Sequence, residues 1–352
     1  MRAAIIGTGM IAGIHADAVR SCGGKTVLAV SRTLEGAQKF AGKYGITRYS
    51  DRLLPEDLEE VDAVYICTPP AAHLEYFRIC AEAGKAVFCE KPLALSEADA
   101  EDICRIAEES GIFAAVGFNN RFYPAVNIMK ERLAGIGEPV LVAGHYYQEF
   151  HILPCPYSWR YEDPLRAVSE IGSHYLDLVR YVTGLEIDPD SVTASFRTVK
   201  PERVVKDGIM YPADSAGEED LLDDSRKITV SSEDIAVVSF SLENGALGNA
   251  VFSETAAGRS NDLAIEVFSG DSSIAWESEH SYQLKSGRYG EGVTTITDAF
   301  GGGFPETFRE SAKVFMDSVR TGKRDPRLAS LEDGLASVRL AEAIKEKASR
   351  RP

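Results

Sequence analysis

A lysine that directly follows a short apolar segment is the first residue whose position suggests chemistry. Residues 86–89 read Ala-Val-Phe-Cys, which is typical of a buried strand, and Glu90, Lys91 and Pro92 come next. Proline ends the strand and holds the preceding lysine in an extended conformation. Because open α/β sheets bind ligands at the carboxyl ends of their strands, we interpret Lys91 as a cation in a ligand site. The alternative is a solvated surface lysine.

A glycine-rich turn near the start of the chain predicts dinucleotide binding. The apolar segment 3–6 runs into Gly7-Thr8-Gly9-Met10-Ile11-Ala12 and then into a helix that extends to about Arg20. This G-x-G-x-x-A pattern between a strand and a helix is the context in which the motif binds a pyrophosphate. Gly7 permits the tight turn, Gly9 lets the backbone approach the phosphates, and Ala12 allows close packing of helix and strand. The amide groups and positive dipole end of the helix then face the phosphates.

The end of the second strand, Thr26–Val30, indicates which dinucleotide is preferred. NAD sites usually place an acid there for the ribose hydroxyls, whereas NADP sites supply an arginine for the 2′-phosphate. This chain has Ser31-Arg32, a hydroxyl and a guanidinium that suit a phosphate, so NADP is favoured and NAD stays possible. The alternative is a helix-capping serine and a surface arginine before the helix 34–44.

A third group of candidate residues lies on a predicted helix over 171–183. At about 100° per residue, Glu170, His174, Asp177 and Tyr181 share one face, beside an apolar face. Taken alone, the helix is explained well by an acid at its N-terminus and a core histidine bonded to Asp177. Hydride transfer from an alcohol, however, leaves a hydroxyl proton to remove, and a histidine titrating near neutrality suits that task.

The elements around these residues predict two domains. Strands and helices alternate up to a sixth strand at 113–116, which predicts an α/β fold with an N-terminal Rossmann domain, a doubly wound parallel sheet, over residues 1–120. Residues 121–352 read as an α+β domain with a large, mostly antiparallel open sheet. The acidic stretch 206–227 is expected to be an exposed loop and not a metal site. Strands are predicted at 140–147, 191–198, 235–242, 246–252, 263–268 and 273–276.

Composition excludes several classes of partner. The 352 residues carry a net charge of −16, which argues against nucleic acid and against an anionic membrane surface. We find no segment of about 20 apolar residues that could span a membrane. The six cysteines and six histidines show no disulfide or metal spacing, so we expect reduced thiols, no metal and a cytoplasmic location.

These residues together resemble the glucose–fructose oxidoreductase/inositol dehydrogenase/MocA-like (Gfo/Idh/MocA) oxidoreductase family along nearly the whole chain. The matching motifs are residues 7–12 with His15, Thr68-Pro69-Pro70 with His73, Gly84-Lys85 leading to Glu90-Lys91-Pro92, residues 121–124, and 172–178 followed by Thr183-Gly184.

The resemblance implies NAD(P)-dependent oxidation or reduction of a sugar, cyclitol or related polyol, and a homodimer or homotetramer formed through the C-terminal sheet. Lys91 would bond the reacting oxygen next to a strained or cis bond to Pro92, and His174 would be the acid/base, with Glu170 beside it. The cofactor would be bound by the glycine turn and by Ser31, Arg32, Thr68, Pro69, His73, Glu90, Lys91, Asn119, Trp159 and Arg160. The substrate would be bound by Lys91, Arg160, Glu170, His174 and Asp177.

The chain departs from the family at one point, and two alternative functions stay open. Glu170 stands where many members have aspartate, and residues 165–169 replace the usual glycine-rich approach to it. The extra methylene moves the carboxylate by about one bond length, a displacement that matters in catalysis. The alternatives are a reductase of a non-sugar carbonyl, such as a dihydrodiol- or biliverdin-type substrate, and a non-catalytic cofactor-binding sensor or corepressor.

Overall fold

A computed structural model describes residues 1–150, 154–161, 165–213, 226–298 and 302–351. The α-helices are α1 (Met10–Ser21), α2 (Leu34–Tyr44), α3 (His73–Glu82), α4 (Glu97–Ser110), α5 (Pro124–Leu133), α6 (Ser173–Thr183), α7 (Phe304–Thr321) and α8 (Leu331–Lys347). The strands are β1 (Arg2–Ile6), β2 (Lys25–Val30), β3 (Arg48–Ser50), β4 (Ala63–Ile66), β5 (Ala86–Cys89), β6 (Ala114–Val116), β7 (Leu141–Tyr147), β8 (Cys155–Pro156), β9 (Ile187–Arg197), β10 (Glu202–Lys206), β11 (Ile209–Pro212), β12 (Arg226–Thr229), β13 (Ile235–Leu242), β14 (Leu247–Ser253), β15 (Asp262–Phe268), β16 (Ser272–Glu277), β17 (Gln283–Arg288), β18 (Gly292–Thr297) and β19 (Ala348–Arg351).

The first six strands form one parallel sheet in the order β3-β2-β1-β4-β5-β6. This order is that of the doubly wound dinucleotide-binding fold, and it confirms the predicted Rossmann sheet. The order reverses between β1 and β4, so the turns that follow these two strands meet at the crevice where such sheets bind ligands.

Both faces of the parallel sheet are covered by helices, which explains why its strands read as unbroken apolar runs. On one face, α3 and α4 pack through Phe77, Cys80 and Ile103 against Val64 and Val87. The opposite face receives α1, α2 and α7, among them Ala16, Phe40 and Phe315. The carboxyl ends of the strands are therefore held rigidly from two sides.

The second part of the chain contains a mixed nine-stranded sheet in the order β18-β17-β16-β15-β7-β14-β13-β9-β19. Its pairs are antiparallel except β7 with β14 and β9 with β19, which confirms the predicted mostly antiparallel sheet. α6 packs on one face, where a side chain at Gly144 would overlap the ring of Tyr175 and one at Gly172 that of Phe252.

A smaller antiparallel sheet, β12-β10-β11-β8, corrects the expectation that 206–227 is one exposed loop. Asp207 and Gly208 both have positive φ, 51° and 76°, and they join β10 to β11 as a two-residue hairpin. An Asp-Gly pair between apolar runs is a strong hairpin signal, which the acidic composition of the stretch obscured. Most of its acidic residues, 214–225, lie outside the described residues.

The helix that carries His174 begins later than predicted, at Ser173. Residues 168–172 instead form a π-helical turn, in which the amide of Ser173 donates to the carbonyl of Val168. A π turn holds more residues per turn than an α-helix, so Glu170 does not keep the assumed 100° spacing to His174. His174, Asp177 and Tyr181 are all buried.

The chain divides into two compact units that are not contiguous in sequence. The first comprises residues 1–124 and 302–339, and the second residues 125–301 and 340–352. This differs from the expected boundary at 120 alone, because α7 packs with α1 through Phe308, Ala312 and Ala18. The described residues contain no helix with the length and apolarity needed to cross a membrane.

Candidate active site

The glycine turn in the first unit has the form that a pyrophosphate requires. Gly7 has φ +95° and lies against Cys67, whose carbonyl oxygen would be 2.5 Å from an added Cβ. At Gly9, which precedes α1, an added Cβ would meet no atom within 4 Å, and no side chain caps the helix. Met10 is exposed, Ile11 half-buried and Ala12 buried against the sheet. The turn is thus closed beneath Gly7 and open above Gly9, which fits a bound dinucleotide.

The end of β2 lies beside this turn. The hydroxyl oxygens of Thr8 and Ser31 are 2.9 Å apart, so the first glycine turn and the β2–α2 loop are joined by a hydrogen bond. Arg32 is exposed, and Thr33, rather than Ser31, caps α2 by accepting from the amide of Gly36 at 3.1 Å. The alternative of Ser31 as the capping residue is therefore wrong, and the ligand contacts predicted for Ser31 and Arg32 stay predictions.

His73 connects two loops at the carboxyl edge of the sheet. Its Nε2 lies 2.9 Å from the carbonyl oxygen of Thr68, its Nδ1 lies 3.1 Å from that of Leu93, and the Cys89 sulfur is 3.3 Å from Nδ1. Burial lowers the pKa of His73, against the opposing effect of the carbonyls. A neutral ring that donates from Nε2 to Thr68 can accept the thiol proton of Cys89 at Nδ1, and it then donates no hydrogen bond to Leu93. The ring thereby supports the Thr68-Pro69 backbone.

The residues around Lys91 are fixed by a buried polar pair. Glu90 Oε1 lies 2.6 Å from His15 Nε2, and both side chains are buried. Gly117 leaves room for this carboxylate, since a Cβ there would lie 2.8 Å from Glu90 Oε1. Lys91 itself is half-buried, and the bond from Lys91 to Pro92 is cis, as the resemblance implies.

Asn119 lies after β6 in the same unit. Its side chain is buried and its Nδ2 donates to the hydroxyl of Thr307 at 2.9 Å. The amide thus ties the exit of the parallel sheet to α7. The predicted cofactor contact of Asn119 stays a prediction.

The second unit brings together Trp159, Arg160 and Glu170. Arg160 Nε is 2.9 Å from Glu170 Oε1, and the guanidinium lies over the Trp159 ring, 4.9 Å from its centroid. The Glu170 side chain is 20% exposed and that of Arg160 43%, so the pair opens to solvent on one side. A carboxylate and a guanidinium beside an indole ring form a surface that can bind hydroxyl groups.

His174 lies one turn beyond Glu170, with its ring 6.2 Å from that of Tyr146. Tyr146 in turn donates to Asn261 Oδ1 at 2.5 Å, and Gln148 donates to the same oxygen at 3.0 Å. Asp177 follows on the next turn and is buried. Tyr146 and Asn261 were not among the predicted site residues, because an isolated tyrosine in a strand carries no sequence signal for a site.

Two further features bear on where chemistry can occur. A groove of about 380 Å³ crosses β7, β15, β16 and β17, and none of its lining residues, which include His145, Glu266 and Lys285, was predicted as a site residue. Among the residues that the structure describes, no three His, Cys, Asp or Glu side chains gather as a metal-binding group.

The chain combines a Rossmann sheet that has an open glycine turn with a second unit built on a large mixed sheet. This combination defines the class of nicotinamide-dependent oxidoreductases. The family model described as "Oxidoreductase family, NAD-binding Rossmann fold" matches residues 1–118, and the "GFO/IDH/MocA C-terminal domain" matches residues 129–274. The chain belongs to the Gfo/Idh/MocA oxidoreductase family, and it is a dehydrogenase or reductase that acts on CH–OH groups.

Known relatives are similar over nearly the whole chain. A levoglucosan dehydrogenase of Pseudarthrobacter phenanthrenivorans is 28% identical, covering 90% of this chain and 84% of its own length. A myo-inositol 2-dehydrogenase of Thermotoga maritima is 27% identical, covering 98% and 96%. Among solved structures, an oxidoreductase domain protein from Kribbella flavida is 25% identical with a TM-score of 0.86, covering 98% of this chain and 96% of that one.

Proposed function

We propose that this chain is an NADP-preferring oxidoreductase that transfers a hydride between the nicotinamide and a sugar, cyclitol or related polyol or keto compound. The observation that carries the proposal is the open glycine turn, which the Thr8–Ser31 hydrogen bond joins to the loop with the exposed Arg32. Lys91 follows the carboxyl end of β5 in the same sheet. Levoglucosan and inositol dehydrogenases among the relatives support the substrate class.

The chain's own residues supply charge and proton handling. The bound cofactor would supply a hydride donor or acceptor at its nicotinamide ring. The Lys91 ammonium donates a hydrogen bond to the reacting oxygen and stabilises negative charge that develops there. The His174 imidazole takes the hydroxyl proton during oxidation and returns it during reduction. Glu170, Arg160 and Asp177 bind substrate hydroxyl groups.

The preference for NADP follows from the end of β2. None of the three residues there, Ser31, Arg32 and Thr33, is an acid, so no carboxylate repels a 2′-phosphate. The Arg32 guanidinium pairs with that phosphate, and the Ser31 hydroxyl donates to it. Relatives of both preferences exist, among them a scyllo-inositol 2-dehydrogenase (NAD(+)) and a D-xylose 1-dehydrogenase [NADP(+)].

The catalytic proposal is tested by following nicotinamide absorbance with a panel of sugars and cyclitols in both directions. Lys91→Met should lower kcat/KM by about 100-fold or more while the Kd for NADPH changes less than about threefold. Lys85→Met, at the other end of β5, is the matched control and should behave like the wild type. Unchanged turnover in Lys91→Met would refute the role of Lys91, and NADPH binding with no turnover of any substrate would favour the sensor alternative.

The cofactor preference is tested by fluorescence titration with NADPH and NADH. Arg32→Ala should weaken NADPH binding about tenfold or more and leave NADH binding nearly unchanged, because only NADPH carries the 2′-phosphate. Arg20→Ala, which removes an exposed arginine from the far end of α1, serves as control. A wild-type preference for NADH at physiological salt is incompatible with the proposal.

Assembly through the large sheet is part of the same proposal. The face of the sheet turned away from α6 exposes apolar side chains, with Val237 48% and Leu247 62% exposed. A homodimer or homotetramer would bury them. Light scattering after size exclusion should give two or four subunits for the wild type and a lower number for Val237→Glu, and a wild-type monomer would contradict this arrangement.

A further inference from the structure

A fully buried group of charged side chains lies next to Glu170 in the second unit. We name it the Arg166 cluster, and its members are Arg166, Arg203, Glu233, Asp234 and Glu254. Arg166 donates from Nη1 to Glu254 Oε2 at 2.8 Å and from Nη2 to Asp234 Oδ1. Arg203 Nη2 lies 3.4 Å from the same Asp234 oxygen. Arg166 lies in the segment before α6 and Arg203 on β10. Glu233 and Asp234 directly precede β13, and Glu254 directly follows β14.

The cluster cannot rearrange freely, because buried charges have to stay paired. Two guanidinium groups, Arg166 and Arg203, face three carboxyl groups, Glu233, Asp234 and Glu254. Burial, with the negative charge of Glu170 as the next cause, raises the pKa of Glu254 well above its ordinary value. The Glu170 carboxylate thus acts electrostatically on the cluster, although it lies outside it.

The cluster also holds the backbone that carries Glu170. Glu233 Oε1 accepts hydrogen bonds from the amides of Arg166 at 3.0 Å and Val168 at 2.9 Å. The carbonyl of Arg166 accepts from the amide of Glu170 at 2.8 Å. The side chain and the backbone of Arg166 are therefore both fixed. Arg166 lies four residues before Glu170 and two residues before the π turn begins at Val168.

We propose that Arg166 is a positioning residue, which through its ion pairs with Asp234 and Glu254 fixes the turn that carries Glu170 and so holds the Glu170 carboxylate against Arg160. The inference rests on the proposed function only in that it assigns Glu170 to the substrate site. It explains the unusual segment 165–169, because the Arg166 cation, anchored by residues at the ends of β13 and β14, sets the backbone there. The Glu170 side chain is longer than that of aspartate, so the backbone of Glu170 has to be held in place for its carboxylate to reach a defined position.

A purely structural role would have other consequences. A cluster that only stabilises the unit would lower stability when altered and leave the place of the Glu170 carboxylate unchanged. A positioning role moves that carboxylate. The two roles are therefore separated by the Glu170–Arg160 distance and by the coupling between substitutions at 166 and 170.

The first measurement needs no substrate. Crystal structures of the wild type, Arg166→Lys and Arg180→Lys are compared for the distance between Glu170 Oε1 and Arg160 Nε, 2.9 Å here. Arg180 is the matched control, because it lies on α6 and binds the Glu186 carboxylate through two bonds of 2.7 and 2.8 Å. The proposal expects the pair to be broken in Arg166→Lys and kept in Arg180→Lys. Where Arg166→Lys does not fold, the isosteric Asp234→Asn, which removes the carboxylate charge that Arg166 Nη2 binds, replaces it with the same expectation.

The second measurement is a double-mutant cycle in kcat/KM with whichever polyol the wild type oxidises. Arg166→Lys should lower kcat/KM about tenfold or more in the wild type, and less than about twofold in Glu170→Ala, because its effect passes through Glu170. Arg180→Lys should have the same effect in both backgrounds. NADPH affinity should stay constant throughout.

The outcomes separate the two proposals. An intact Glu170–Arg160 pair in Arg166→Lys, or equal losses in both backgrounds, would overturn the positioning role. A wild type that oxidises or reduces no substrate refutes the proposed function, and the crystal structures then still decide whether Arg166 positions Glu170.

Discussion

Gly7 and Gly9 are two residues apart, and each is a glycine for a different physical reason. Gly7 has a positive φ, which costs any other residue conformational energy, and it lies against the carbonyl of Cys67. Gly9 has a backbone conformation open to every residue and no neighbour within 4 Å of a Cβ. The fold thus requires the first glycine, whereas only the proposed dinucleotide accounts for the second.

This contrast predicts opposite results for two alanine substitutions. Gly7→Ala should lower the free energy of unfolding by about 2 kcal/mol or more, because strain at positive φ adds to the overlap with Cys67. Gly9→Ala should change it by less than about 0.5 kcal/mol and weaken NADPH binding about tenfold. Urea denaturation and fluorescence titration measure the two quantities. Equal NADPH affinity in Gly9→Ala and the wild type would show that no phosphate approaches Gly9.

The residues next to Lys91 show how polar side chains prepare a site without touching a ligand. His15 from α1 holds Glu90, and His73 from α3 lies between the backbone carbonyls of Thr68 and Leu93. Both histidines are completely buried, so each fixes its partner in a place from which water is excluded. The motif spacing identified these histidines, but only the folded chain shows that they bind protein groups.

At the scale of the elements, α7 is a helix of the cofactor-binding unit, although about 180 residues separate it from β6. Its Phe315 lies in an aromatic group with ring centroids 5.6 Å from Tyr65 and 5.3 Å from Phe88. Because these partners lie on β4 and β5, the helix supports the strands that lead to Thr68 and Lys91.

We therefore expect Phe315→Ala to lower the free energy of unfolding by about 3–5 kcal/mol and to weaken NADPH binding. Phe304→Ala, at the exposed start of the same helix, should cost less than about 1 kcal/mol, since its side chain is 38% exposed. Urea unfolding followed by circular dichroism compares the two variants. A Phe315→Ala protein as stable as Phe304→Ala would show that α7 does not support the sheet.

Local signals predicted the first unit closely. The hydroxyls of Thr33 and Ser96 cap α2 and α4, and Gly45 and Gly111 end these helices in the left-handed conformation. Such signals act within one turn of a helix, so the sequence carries them completely. The parallel strands between them are short and fully apolar, and the alternation with helices leaves few ways to arrange them.

The second unit was predicted less well because its order depends on distant contacts. The pairing of β7 with β14 and of β9 with β19 joins segments about 100 or more residues apart, and no local pattern specifies it. The π turn at 168–172 has no local signal either, and the chain at its start is held by Glu233, which lies more than 60 residues away. Glu170 was consequently placed on the correct segment but with the wrong helical spacing.

For the molecule as a whole, the candidate residues divide between the two compact units. Lys91 and the glycine turn belong to the first unit, whereas Arg160, Glu170 and His174 belong to the second. Motifs found all of these residues, since each lies on a local pattern. The Arg166 cluster was not found, because Glu233, Asp234 and Glu254 read as ordinary surface acids until the fold buries them.

Burial of these acids makes the stability of the chain depend on pH. Burial raises the pKa of Glu233 to about 7, although the amides of Val168 and Arg166 act in the opposite direction. The folded carboxyl group therefore holds its proton up to about pH 7, whereas the unfolded one loses it near pH 4.5. Between these values the unfolded state binds fewer protons, so stability is fully present below pH 4.5 and falls as the pH rises to 7.

The expected loss is measured by urea denaturation at pH 5 and pH 8. At about 1.4 kcal/mol per pH unit, Glu233 should make the wild type lose about 2–3 kcal/mol between these values. Glu233→Gln cannot ionise and keeps the oxygen that accepts the two amides, so it should lose correspondingly less. Glu291→Gln, at an exposed position, should lose as much as the wild type. If the wild type and Glu233→Gln show the same dependence on pH, Glu233 is ionised in the folded chain and the two guanidinium groups of the Arg166 cluster must balance three carboxylates.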